Sequence, residues 1–132
     1  MQLKVKPKKY GPVSVHSDHA QALTHGGDSP FAANAGPATS APAMGMLASL
    51  ATCIAMSIHG RAKLDQIKLN PFSVHVTGVK ALDMPSRFET IEIEVKEATS
   101  VGRQISEEFV QRSKEFCTVS NTLNCTLQFL IT

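Results

Sequence analysis

Ala41-Pro42-Ala43-Met44-Gly45-Met46-Leu47-Ala48-Ser49-Leu50-Ala51-Thr52-Cys53-Ile54-Ala55-Met56-Ser57-Ile58 contains no charged side chain. The stretch barely reaches the roughly 18–20 residues that a membrane span needs, is rich in Ala, Ser, Thr and Gly, and has no companion segment. It therefore reads as a buried core helix. Thr39 or Ser40 can cap it and Pro42 fits its first turn, so a helix is predicted from Ala43 to about Lys63. Met44, Met46, Leu47, Leu50, Ile54, Met56 and Ile58 make it apolar nearly all round. Such a helix has to be enclosed on every side, and a second copy of the chain is the natural source of the missing cover.

On the N-terminal side, Leu3-Val5 alternates with lysines, Pro12 to His16 follows a Gly-Pro turn signal, and Ala20 to Thr24 is a third short strand candidate. Residues 1–25 form a strand arm on this reading. From His25 onward Gly, Pro and Ser predict a loop over residues 26–42, longer than most connections in a compact domain and hence functional or interfacial. On the C-terminal side, Leu69 to Val79 sets Phe72, Val74 and Val76 against Ser73, His75 and Thr77. Ile91 to Val95 alternates with Glu92, Glu94 and Lys96 in the same way. Both are half-buried strands. Val101, Ile105, Phe109 and Phe116 mark an amphipathic helix ending near Cys117, and Cys125, Leu127, Phe129 and Ile131 share one face of a last strand. The reading is one α+β domain over residues 1–132, with the strands, second helix and last strand in 66–132.

Composition narrows the function. The 13 basic and 11 acidic residues leave a net charge of +2, and the one basic run, Lys4 to Lys9, has a single aromatic beside it at Tyr10, which argues against a nucleic-acid surface. Met1 to Lys8 has no apolar signal region, so a cytoplasmic setting is expected, where thiols stay reduced. Three cysteines without a Cys-x-x-Cys pair fit neither a disulfide framework nor a zinc knuckle. No phosphate loop or Gly-x-Ser-x-Gly elbow is present, and no cofactor is expected. His16, His19 and His25 cluster without the spacing of a metal site.

The chemistry left is that of thiols. Cys53, flanked by Leu50, Ile54 and Met56, reads either as an inert core thiol or as a reactive one, since burial without a cation raises a thiol's pKa. His59 lies about 240° around the helix from it and is badly placed to help. Cys117 closes the second helix, where the negative helix end disfavours a thiolate; it reads either as a plug or as a resolving thiol, which needs only to be reachable. Cys125 reads as structural.

Gly26-Gly27-Asp28, then Pro42, then Leu47-Ala48-Ser49-Leu50-Ala51-Thr52-Cys53, and finally Phe116-Cys117-Thr118-Val119-Ser120-Asn121-Thr122-Leu123 follow in an order that resembles the OsmC/Ohr family across essentially the whole chain. The resemblance implies antiparallel sheets wrapped around a central apolar helix in an intertwined homodimer. It also implies a thiol-dependent peroxidase. By that mapping Cys53 attacks an organic hydroperoxide and becomes a sulfenic acid. Cys117 resolves it to a disulfide, and a dithiol reductant such as a lipoylated protein restores both thiols.

Two features depart from the family's pattern. Active members carry a glutamate ten residues before the first cysteine and an arginine from the N-terminal arm; here the first position is Ala43, and the first Arg and Glu are Arg61 and Glu89. Lysines of the arm, His25, Arg61 or Arg87 from either subunit are the cations left to favour a thiolate. The competing expectation is a dimeric redox-sensing or apolar-ligand-binding protein that keeps the fold without efficient turnover.

Overall fold

The computed structural model describes residues 8–18, 22–31, 41–98 and 104–132. The expected strand at Leu3-Val5, the capping residues Thr39 and Ser40, His19 and Val101 lie outside them.

Strands β1 (Lys9–Ser17) and β2 (Leu23–Gly27) pair as an antiparallel hairpin, and helix α1 (Ala41–Leu64) follows. Strands β3 (Phe72–Lys80) and β4 (Phe88–Glu97) then precede two helices, α2 (Glu107–Lys114) and α3 (Thr118–Thr122), and the last strand β5 (Thr126–Ile131). The five strands form one sheet in the order β2-β1-β3-β4-β5. Pairing is antiparallel through β4, but β5 joins β4 in parallel. A parallel neighbour needs a crossover, and α2 and α3 supply it.

Alternation places each strand's apolar side chains on one face. Register aligns Val15, Val74, Val95 and Ile131 in one cross-strand row and Val13, Val76, Ile93 and Phe129 in the next. The valines and Ile93 are buried, and Leu47, Leu50, Ala51, Ile54 and Ile58 of α1 lie in the same core. The opposite face carries Ser14, His75, Glu94 and Leu130 in register. Gly11 makes the β1 irregularity possible: its φ is +102°, and a Cβ there would lie 2.7 Å from the Val76 carbonyl oxygen.

Two polar clamps hold the crossover. Glu97 is buried, yet its Oε1 accepts from the amides of Gln104 (3.0 Å) and Ile105 (2.6 Å), while Oε2 accepts from Asn70 Nδ2 at 3.1 Å. A buried carboxylate is tolerated only when satisfied in this way. Asp65 at the end of α1 binds both Arg61 (3.2 Å) and Arg112 of α2 (3.6 Å).

The second helix is shorter than expected. Ser106 caps it, accepting from the Phe109 amide at 3.1 Å, and it stops at Lys114 rather than near Cys117. α3 is a separate turn. α1 is long and apolar enough to cross a membrane by length and composition, but half of its apolar window is buried within the fold, so it serves as a core helix.

Candidate thiol site

Cys53 sits in the middle of α1, and it is half-buried rather than enclosed. The hydroxyls nearby are satisfied within the helix: Ser57 Oγ donates to the Cys53 carbonyl at 2.7 Å, and Thr52 Oγ1 donates to that of Ala48 at 2.9 Å. Back-bonding of this kind lets small polar residues occupy an apolar helix without an unmet donor.

Cys117 lies in the turn between α2 and α3 and is fully buried. Its place corrects the expectation of a negative helix end, because Cys117 is the N-cap of α3: its Sγ accepts from the Ser120 amide at 3.4 Å, while Ser120 Oγ donates to its carbonyl at 3.2 Å. Asn121 locks the turn onto α2, with Nδ2 donating to the carbonyls of Lys114 and Glu115 at 3.2 Å each and Oδ1 accepting from Lys114 Nζ at 3.0 Å.

The two thiols meet. Cys53 and Cys117, distant in the chain, are brought close enough for Cys53 to act on the Cys117 thiol, and both are free. Burial pushes the Cys117 thiol up, the hydroxyl and amide of Ser120 pull it down, and the neighbouring Cys53 raises it again, leaving it above the ordinary thiol range. A raised pKa favours the protonated thiol at Cys117.

The expected cations do not join this pair among the described residues. Arg61 is held by Asp65; Arg87 by Asp83 at 2.9 Å and the Pro85 carbonyl at 2.8 Å. His25 packs edge-on against Phe31, with Nδ1 buried and without a hydrogen-bond partner. Lys8 lies over the Tyr10 ring, 4.5 Å from its centroid. His59 turns to the sheet side, sharing a 2.9 Å hydrogen bond with Ser17 Oγ and stacking obliquely on Phe72; burial lowers its pKa. His16 is bonded to Ser73 Oγ, and no cluster of three metal ligands occurs among the described residues. Cys125, half-buried, packs against the core just ahead of β5, and burial raises its pKa.

Ser120 is the contributor that sequence reasoning missed. Its signal was the Cys-x-x-Ser spacing itself, which puts a side-chain acceptor at an N-cap and a donor three residues on.

No curated protein matches the chain. The fold is shared with solved structures. An OsmC-like protein of unknown function from Vibrio cholerae aligns over 100% of both chains with a TM-score of 0.59 at 12% identity. The organic hydroperoxide resistance protein OhrB of Bacillus subtilis aligns with 96% of this chain and 98% of its own, with a TM-score of 0.59 at 16% identity. An organic hydroperoxide resistance protein OsmC from Legionella pneumophila covers 100% of this chain and 98% of its own, with a TM-score of 0.57 at 15% identity. At such identities the likeness establishes the fold. Residues 35–131 match the sequence family described as OsmC-like protein, and since that range spans most of the 132 residues, the chain belongs to the OsmC-like family.

Proposed function

We propose that the chain is a cytoplasmic, homodimeric thiol peroxidase that reduces organic hydroperoxides. The observation that carries this reading is the proximity of Cys53 and Cys117. Half-exposed Cys53 is the peroxidatic residue. As a thiolate it attacks the terminal peroxide oxygen; the O–O bond breaks, the alkoxide takes a proton from water and leaves as an alcohol, and Cys53 becomes a sulfenic acid. Cys117 then attacks the Cys53 sulfur, its proton departs with the hydroxide as water, and a disulfide forms. A dithiol reductant, of which a lipoylated protein is one example, returns both thiols and is itself oxidised to a disulfide.

The raised pKa of Cys117, due first to burial, supports this division of roles: a Cys117 kept protonated does not compete for peroxide. The second copy is supported by the outward side of α1, where Met56 is 61% exposed in the single chain, a large apolar side chain left in water at the centre of a core helix. Family relatives named for organic hydroperoxide resistance add support at the level of substrate class.

A second reading is favoured by one observation: no cation pairs with Cys53 among the described residues, and Ala43 carries no carboxylate. A redox-sensing or apolar-ligand-binding protein would tolerate that lack, whereas missing a single preorganised charge partner costs an enzyme on the order of 10²-fold in rate. Purified protein with dithiothreitol is expected to consume cumene hydroperoxide, with the rate abolished in Cys53→Ser; Cys117→Ser is expected to keep a single turnover and to lose the intramolecular disulfide seen by mass spectrometry. Absence of peroxide consumption by the unmodified protein sinks the enzyme. A slow Cys53–Cys117 disulfide without turnover would then identify a sensor.

A further inference from the structure

The loop joining β3 to β4 holds two large apolar side chains in water. Residues 82–87 are all exposed, with Leu82 at 60% and Met84 at 56%, and neither of these two packs against the core. The loop is nevertheless fixed in shape. The Ala81 amide closes its base by donating to the Arg87 carbonyl at 2.9 Å, and the Arg87 guanidinium reaches back to Asp83 and to the Pro85 carbonyl. Those contacts spend the loop's polar groups on one another and give Leu82 and Met84 no cover.

The foot of the loop is basic. An open groove of about 290 Å³ is lined there by Lys8, Lys9 and Lys80 together with Leu82, and Glu89 is its one acid. Strand pairing gathers the lysines: Lys9 lies opposite Val79, and the Lys80 amide donates to the Lys8 carbonyl at 3.0 Å. No ion pair joins Glu89 to a lysine among the described residues, and Asp83 is taken by Arg87. In the sequence Lys4 and Lys6 precede Lys8, tethering two more positive charges within four residues of it. Apolar side chains at a tip with cations at its foot suit an anionic bilayer, whose headgroup phosphates take the lysines while the acyl boundary takes the tip. An acidic protein surface would answer the charge but must also offer a matching apolar pocket, which a bilayer presents everywhere.

We propose that the β3–β4 loop is a membrane-docking tip: Leu82 and Met84 enter the acyl boundary of an anionic leaflet, and Lys8, Lys9 and Lys80 sit on its headgroups. The contact is weak and reversible, since two side chains bury little apolar area. It stands apart from the thiols and holds whether or not they turn over peroxide. The cytoplasmic leaflet is the one with a negative surface potential, in agreement with the location proposed above.

Flotation of the full chain with vesicles of equimolar phosphatidylglycerol and phosphatidylcholine tests this. Binding is expected to exceed that to pure phosphatidylcholine by more than about tenfold at low salt, and to fall as salt is raised. Lys9→Gln and Lys80→Gln should each weaken it about fivefold. The double substitution Leu82→Ser, Met84→Ser should weaken it about tenfold, because affinity follows the apolar area buried. That variant should keep the unfolding midpoint of the unmodified protein, since both side chains are exposed. Absence of binding to the mixed vesicles overturns the proposal. So does vesicle binding that the double substitution leaves unchanged, which would be adsorption by charge alone and would suit an acidic protein surface equally well. Sedimentation without lipid covers the remaining occupant: self-association lost in the double variant would make the tip an interface between copies of this chain and overturn the lipid assignment.

Discussion

The two sides of α1 are built from the same kinds of residue and meet opposite fates. On the buried side, Leu47, Leu50, Ala51 and Ile58 are 0% exposed; on the other side Met46 and Cys53 are half-buried and Met56 is 61% exposed. The helix has no strongly polar stripe to mark which side is which. The difference shows that an apolar residue in a core helix need not belong to the core of its own chain. One side is committed to folding; the other remains open around a thiol.

The comparison can be broken by substitutions on each side. The largest loss of stability is expected for Leu50→Ala, about 2–5 kcal/mol in urea denaturation, because a fully enclosed position leaves a cavity that its neighbours fill poorly. A comparable loss from Met56→Ala at dilutions where the chain is monomeric would erase the distinction between the sides. Met56→Lys should instead act on association, weakening self-assembly more than about tenfold in sedimentation while leaving the monomer's unfolding midpoint nearly unchanged. Cys117→Ala, which removes both a buried atom and the cap of α3, is expected to cost about 1 kcal/mol, whereas the change at Cys53 should be close to neutral for folding.

The smallest effect is expected at His59, on the border of the two sides. Burial lowers its pKa in the fold, so the neutral ring is favoured there and the unfolded chain binds a proton more readily. The stability it contributes is complete above the ordinary imidazole range and is lost as pH falls below about 6.5. Comparing denaturation midpoints at about pH 7.5 and about pH 5.5, His59→Gln should flatten the slope; an unchanged slope would show that the ring's surroundings are wetter than its contacts imply.

Much of the scaffold was legible because its signals are local. The uncharged run through Ala41–Ile58 announced α1, and strict alternation assigned the buried face of β3 and β4, where Val74, Val76, Ile91 and Val95 are 0% exposed. The parallel placement of β5 was not legible, since alternation says which face is buried and nothing about which neighbour a strand takes. α3 was missed because five residues are too few for a period to appear, and with it the true setting of Cys117, assigned to the end of one helix when it begins another. The motif order pointed to both cysteines. That their sulfurs meet depends on the crossover docking against α1, a long-range fact that no window of sequence contains.

The parallel pairing of β4 and β5 orders the assembly of the thiol pair in time. β4 is complete at Glu97, but its partner strand β5 begins only at Thr126, after α2, Cys117 and α3 have been made. During synthesis from the N-terminus, Cys53 therefore leaves the ribosome well before Cys117, and the hairpin, α1 and the two long strands can gather around a thiol that is still alone. Maturation of the pair waits on the last six-residue strand. A chain ending before Thr126 would keep both cysteines yet lack the edge that pins the crossover, and alkylation of such a truncated chain should modify Cys117, the thiol that the full-length protein shields.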